Sequence, residues 1–196
     1  MNESKKELLE ELKEKILKEQ LPLRESAKNL VFGKGSEEAK IFFIGEAPGE
    51  NEDLQGKPFV GQAGKELDKL LHSINLSLEL VYIANILKYR PPNNRNPNKK
   101  EIESHTPFLI EQIKIIQPKV IITLGNYATK FVLNNFNAEG MNKVLGITQL
   151  HGQFQEIQLD SMHFKVMPSF HPAAILYNPN LRKEIEKDFQ KIKELI

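Results

Sequence analysis

The sequence predicts an α/β fold: a three-layer α/β/α sandwich around a central, mainly parallel, four-stranded sheet. Three observations predict it. Four short, largely apolar runs at 40–44, 81–87, 120–124 and 164–168 have the length of strands and lack polar alternation, as expected of strands covered on both faces. Amphipathic stretches at helical spacing lie between them. Strand and helix therefore alternate, which implies right-handed crossovers and parallel neighbours.

The elements follow in chain order. Leu8, Leu9, Leu12, Ile16 and Leu17 recur at helical spacing, so the chain opens with an amphipathic helix from about Ser4 to Glu19. Ser4 and Glu7 have the spacing of a capping box, and Pro22 stops the helix. A helix at 64–74 puts Leu67, Leu70, Leu71 and Ile74 on one face. A second, at 99–117, does so with Ile102, Phe108, Leu109, Gln112, Ile113 and Ile116. A shorter helix covers 126–133, and a last one runs from 181 to 196. Residues 153–159 add a short extra strand. With no repeat and no linker, one domain spans residues 1–196, its first 20 forming a helix packed on the rest.

Composition narrows the function. The 196 residues are 40% hydrophobic and 27% charged with a net charge of +1, an ordinary water-soluble balance. No apolar run approaches the roughly 20 residues of a membrane span, and the charged start lacks a signal-peptide core, so a cytoplasmic monomer is expected. Cysteine is absent, which excludes disulfides, thiolate metal sites and a cysteine nucleophile. The histidines show no H-E-x-x-H spacing. A nucleotide-binding enzyme of Rossmann or P-loop type fits poorly, because neither G-x-G-x-x-G nor G-x-x-x-x-G-K-[ST] is present.

Three loops far apart in sequence lie beyond strand carboxyl ends, where ligands of such sheets gather. Gly45-Glu46-Ala47-Pro48-Gly49 is a tight turn leading through Glu52 and Asp53 to Phe59, an aromatic between glycines that is either a stacking platform or a core plug. Asn85 ends the second strand; its amide offers a donor and an acceptor together, matching the O4 and N3–H edge of uracil, or it is a cap. Ser169-Phe170-His171-Pro172 follows the fourth strand, with Ile175 and Leu176 apolar where the chain emerges. There the histidine either donates to a carbonyl or shapes a His-Pro turn. Lys88, Arg90 and Arg95 form a local basic patch, either a phosphate contact or a solvated loop.

In this order the blocks Val31-Phe32-Gly33-Lys34-Gly35, Gly45-Glu46-Ala47-Pro48-Gly49, Glu52-Asp53, Gly56-Lys57-Pro58-Phe59-Val60-Gly61, Tyr82-Ile83-Ala84-Asn85, Lys88, Arg90-Pro91-Pro92, Asn94-Arg95, Leu124-Gly125 and His171-Pro172-Ala173-Ala174 resemble the uracil-DNA glycosylase superfamily, most closely its family 4. The resemblance spans about residue 21 to the C-terminus. It implies a repair enzyme that flips uracil from double- or single-stranded DNA and hydrolyses its bond to the sugar. Phe59 would stack on the base, Asn85 read its edge and His171 bond O2. Glu46 lies in the water-activating motif, and the turn carrying Ala47 and Gly49 holds the base. Ile175 would be the wedge, and Lys88, Arg90, Arg95 and Ser169 would contact DNA. The alternative is a non-catalytic binder of uracil or single-stranded nucleic acid with the same fold.

The sequence departs from that family in three places. Its members usually hold a [4Fe–4S] cluster on four cysteines, whose places here carry Lys18, Leu21, Tyr89 and His105, so no cofactor is expected and side-chain packing should hold the N-terminal tether and the 93–98 loop. The loop at 91–97 has no histidine, which implies turnover through water rather than a covalent adduct. Ala47 and Gly49 stand where the classical uracil-excising enzymes have a water-activating aspartate and a thymine-excluding tyrosine, so water activation would fall either to Glu46 or to Asn85 with backbone groups, and xanthine and hypoxanthine are further candidate substrates.

Overall fold

The apolar runs form the centre of a sheet because each has hydrophobic helices to cover both of its faces. A computed structural model describes residues 3–193. Helix α1 (Lys5–Lys18) is followed by β1 (Lys34–Gly35), β2 (Ile41–Gly45), α2 (Glu50–Gln55), α3 (Gln62–Ser73) and β3 (Val81–Asn85). Then come α4 (Lys99–Ile116), β4 (Val120–Leu124), α5 (Asn126–Leu133), α6 (Ile147–Leu150), β5 (Gln155–Leu159), β6 (Met162–Ser169), α7 (Ala174–Tyr177) and α8 (Leu181–Lys193). The end of the helix expected to reach 196 lies outside the described residues.

The sheet has six strands in the order β1-β3-β2-β4-β6-β5, not the four predicted. The four central strands are the predicted ones and run parallel. Both edges are antiparallel. β5 pairs with β6 close to where the extra strand was expected, whereas β1 is two residues, lysine and glycine, and carries no apolar signal to read.

Alternate strand residues face opposite layers. Phe42 and Ile44 join α1, α4 and α5 in one core; Ile41 and Phe43 join α3 and α8 in the other. Helix α1 starts where the capping box placed it: Ser4 Oγ accepts from the Glu7 N–H, and the Glu7 carboxylate accepts from the Ser4 N–H. It ends at Lys18, ahead of Pro22, and buries Leu9, Leu12 and Ile16 against the first core. Among the described residues no helix is long and apolar enough to cross a membrane.

Ile16 is fully buried, so Ile16→Ala is expected to lower stability by about 2–5 kcal/mol in urea unfolding. A change within about 0.5 kcal/mol, the range of surface substitutions, would mean that α1 is dispensable.

Candidate active site

The register of β2 and β3 sets two of the site's groups side by side. Gly45 pairs with Asn85 at the carboxyl ends of these strands. A Cβ on Gly45 would lie 2.3 Å from Asn85 Oδ1 and 2.9 Å from Phe59 Cε2, so only glycine leaves room for amide and ring together. Phe59 is buried at a positive φ of 50°. Its carbonyl accepts from Lys34 Nζ at 2.9 Å, and Gly64 packs against it so closely that a Cβ would sit 2.0 Å from the oxygen.

The imidazole arrives from the other side of the sheet centre. β6 pairs with β4 through Ser169 and Leu124, and the Gly125 N–H donates to the Ser169 carbonyl at 2.8 Å. His171 then lies over Gly125, whose absent Cβ would be 3.1 Å from His171 Cβ. Its ring stacks on Phe59 at a centroid distance of 5.6 Å. Nδ1 accepts from the Ala173 N–H at 3.3 Å, which leaves the ring proton on Nε2. Burial lowers the His171 pKa to about 4, against an opposing pull from the Glu52 charge, so the ring is a neutral donor at neutral pH.

Glu46, Ala47, Gly49, Phe59, Asn85 and His171 all line one cleft of about 400 Å³, within the size range of small-molecule sites. Burial pushes the Glu46 carboxyl above its ordinary pKa, making it a better proton acceptor. Glu52 also lines the cleft. Its Oε1 accepts from the Val60 and Gly61 N–H groups, at 2.9 and 2.8 Å, and thereby pins the stretch of chain that holds Phe59 just ahead of α3. Sequence reasoning singled it out only as one of several loop acids, because such a role depends on which amides approach.

Of the residues assigned to DNA, the structure moves three away from it. Lys88 is fully buried, its ammonium bonded to the Asn85 carbonyl and to Gln112, and cannot touch a phosphate. Ser169 is fully buried at the end of β6. Ile175 faces the core of the α3–α8 layer; its neighbours Leu176 and Tyr177, 44% and 88% exposed, are the side chains that project. The turn of α7 rotates successive residues by about 100°, which apolar character alone does not reveal. Arg95 lines the cleft, gripped through two nitrogens by the buried Glu101, whose carboxylate also accepts from Asn98 N. Arg90 lies outside it, half-buried, donating to Asn94 Oδ1 at 2.8 Å.

The four positions where the resembling family has cysteines hold no thiolate. Lys18 is exposed and Leu21 leans on the core. Tyr89 is buried edge-on to His105, its hydroxyl without a hydrogen bond among the described residues. His105 bridges instead of ligating: Nδ1 accepts from Lys88 N at 3.0 Å, and Nε2–H donates to the Pro22 carbonyl at 3.1 Å. Burial lowers its pKa to about 4, so it is neutral. Among the described residues no three His, Asp or Glu side chains are grouped to hold a metal ion.

A cleft with an amide, a neutral imidazole and a phenyl ring converging on it suits a flat heterocycle carrying carbonyl and N–H groups. The family model described as "Uracil DNA glycosylase superfamily" matches residues 32–194, and the chain belongs to that superfamily. It is 47% identical over 173 residues to a type-4 uracil-DNA glycosylase of Archaeoglobus fulgidus, 88% of this chain and 85% of that one. A Saccharolobus solfataricus protein of the same name is 48% identical over 170 residues, covering 86% and 77%. One from Thermotoga maritima is 39% identical over 197 residues, covering 98% and 97%.

A histidine held neutral by burial binds fewer protons folded than unfolded, so stability falls as pH drops from about 6.5 towards about 4. NMR titration should find the His105 and His171 rings neutral at pH 5.5; either one titrating near 6.5 would contradict the desolvation described here.

Proposed function

We propose that this chain is a DNA-repair glycosylase that swings uracil out of the DNA stack and hydrolyses its C1′–N1 bond, leaving an abasic site. The observation that carries the reading is the meeting of Glu46, Phe59, Asn85 and His171 at one cleft in a member of this superfamily.

The chemistry follows from the groups available. The flipped ring lies against Phe59, and the Asn85 amide, which makes no hydrogen bond within the protein among the described residues, pairs with O4 and N3–H. As the bond to the sugar lengthens, negative charge builds on the base and an oxocarbenium-like centre on C1′. The neutral His171 donates Nε2–H to O2; a fixed donor of this kind needs no reorganisation as the charge appears. Glu46, desolvated and basic, orients water and takes its proton as oxygen bonds to C1′; uracil leaves as the anion and is protonated afterwards.

Flipping costs a few kcal/mol, least from mismatches or single strands. Leu176 takes over the wedge role first given to Ile175, since it is the exposed apolar residue of α7. Arg90 and Arg95 remain the phosphate contacts; they would fix register without reading sequence. The cluster positions do not fit a [4Fe–4S] centre, whose irons need four anionic sulfur ligands. A lysine, a leucine, a partnerless tyrosine and a neutral histidine supply none, so the enzyme works without it.

Purified protein should release uracil from a U-containing oligonucleotide and show no visible iron–sulfur absorption. Asn85→Ala and His171→Ala should each slow release by about 10²–10³. Binding of the oligonucleotide with no release by the wild-type protein would instead establish a non-catalytic binder.

A further inference from the structure

Lys88 follows β3 by three residues, and no part of it reaches solvent. Burying an ammonium forfeits several kcal/mol of hydration unless the surroundings compensate. Here they compensate weakly. Among the described residues Nζ donates to the Asn85 main-chain oxygen at 2.9 Å and to Gln112 Oε1 at 2.6 Å, and it forms no salt bridge. Gln112 Nε2 extends the network to the Phe32 carbonyl at 3.0 Å and the Tyr82 hydroxyl at 3.3 Å. The Lys88 main chain is fixed as well: its N–H donates to His105 Nδ1 at 3.0 Å, and its carbonyl accepts from the Val31 N–H at 2.9 Å. Methionine would fill the same space without the desolvation cost, so the charge calls for a chemical reason.

Two features of its placement supply one. The carbonyl it holds belongs to Asn85, whose amide meets Gly45 and borders the cleft. A cation without a counter-charge, in surroundings that screen poorly, also acts over a longer range than one at the surface. The leaving group on that side is an anion.

We propose, resting on the glycosylase reading, that Lys88 is a positioning residue for base release: its buried ammonium locks the Asn85 main chain, and with it the amide beside the base, and favours negative charge at that end of the cleft. Burial lowers its pKa to about 7, so the charge is held in mildly acidic solution and lost as the pH rises. The titratable groups on the elements packed around it are Tyr82 of β3, its phenol pushed up by burial, and His105 of α4, neutral above about pH 4. Glu46, on the loop after β2 whose carbonyl accepts from Leu87 N–H, contributes the acid side of the profile.

The test compares single-turnover release of uracil and of 5-fluorouracil, whose anion needs less stabilisation, from otherwise identical oligonucleotides. Lys88→Met is expected to slow uracil release at least about tenfold and 5-fluorouracil release by less than about threefold, with DNA affinity unchanged. Wild-type rates in the variant, equal slowing of both bases, or a defect confined to DNA affinity would overturn the proposal. If the variant does not fold, the wild-type profile decides. Uracil release that declines from about pH 7 upward supports the role, and a rate flat from about pH 6 to 9 overturns it. Wild-type protein that releases neither base overturns the glycosylase reading, and this inference with it.

Discussion

The parallel register that sets Gly45 beside Asn85 governs everything in the cleft. Side chains alternate along a strand, so a slip of one residue would turn the Asn85 amide into a helical layer and bring Ala84 to its place. The register is enforced by burial on both faces: Phe42 and Ile44 belong to one core, Ile41 and Phe43 to the other, and a slip would exchange all four. With the register fixed, the missing Cβ of Gly45 leaves space that Phe59 and Asn85 share, and Phe59 in turn supports the His171 ring. Precision at the site is thus inherited from the hydrophobic packing of the central strands.

A second layer of constraint lies behind the cleft. Neutral His105 joins Lys88 to the Pro22 carbonyl, Gln112 joins Lys88 to Phe32, and Asp53 accepts from the Lys28 and Asn29 N–H groups. Together they tie the chain between α1 and β1 to the floor of the site. In this molecule hydrogen bonds, those to the Lys88 ammonium and the Asp53 carboxylate among them, hold this part of the chain together with side-chain packing. A neutral bond of this kind contributes only about 0.5–1.5 kcal/mol and one to a charged group about 1.5–3 kcal/mol, so the tether's rigidity comes from their number. On the other side of the cleft, Glu101 performs a similar service for the loop before α4, gripping Arg95 and the Asn98 N–H.

Much of this was legible in the sequence. Strands β2, β3, β4 and β6 stood out because strands buried on both faces must be apolar throughout, and the capping box of α1 named its own first turn. The three loops at the strand ends followed from topology. What escaped was orientation. Lys88 looked like part of a basic patch with Arg90 and Arg95, yet Ile86, Leu87 and Tyr89 around it are all buried, and an apolar run that continues through a lysine was the available signal. Ile175 and Leu176 are equally apolar; only the helical turn of α7 decides which one projects. Strand β1 has no sequence signature, since two residues paired at an edge need none.

The central claim is that residues from three distant loops surround one planar base. Titration of free uracil into isotopically labelled protein tests it most directly. The account predicts saturating shifts confined to the Ala47 and Gly49 amides, the Asn85 side-chain amide and the His171 ring. Shifts gathered elsewhere on the surface, or an Asn85 side chain unmoved while uracil binds, would contradict it.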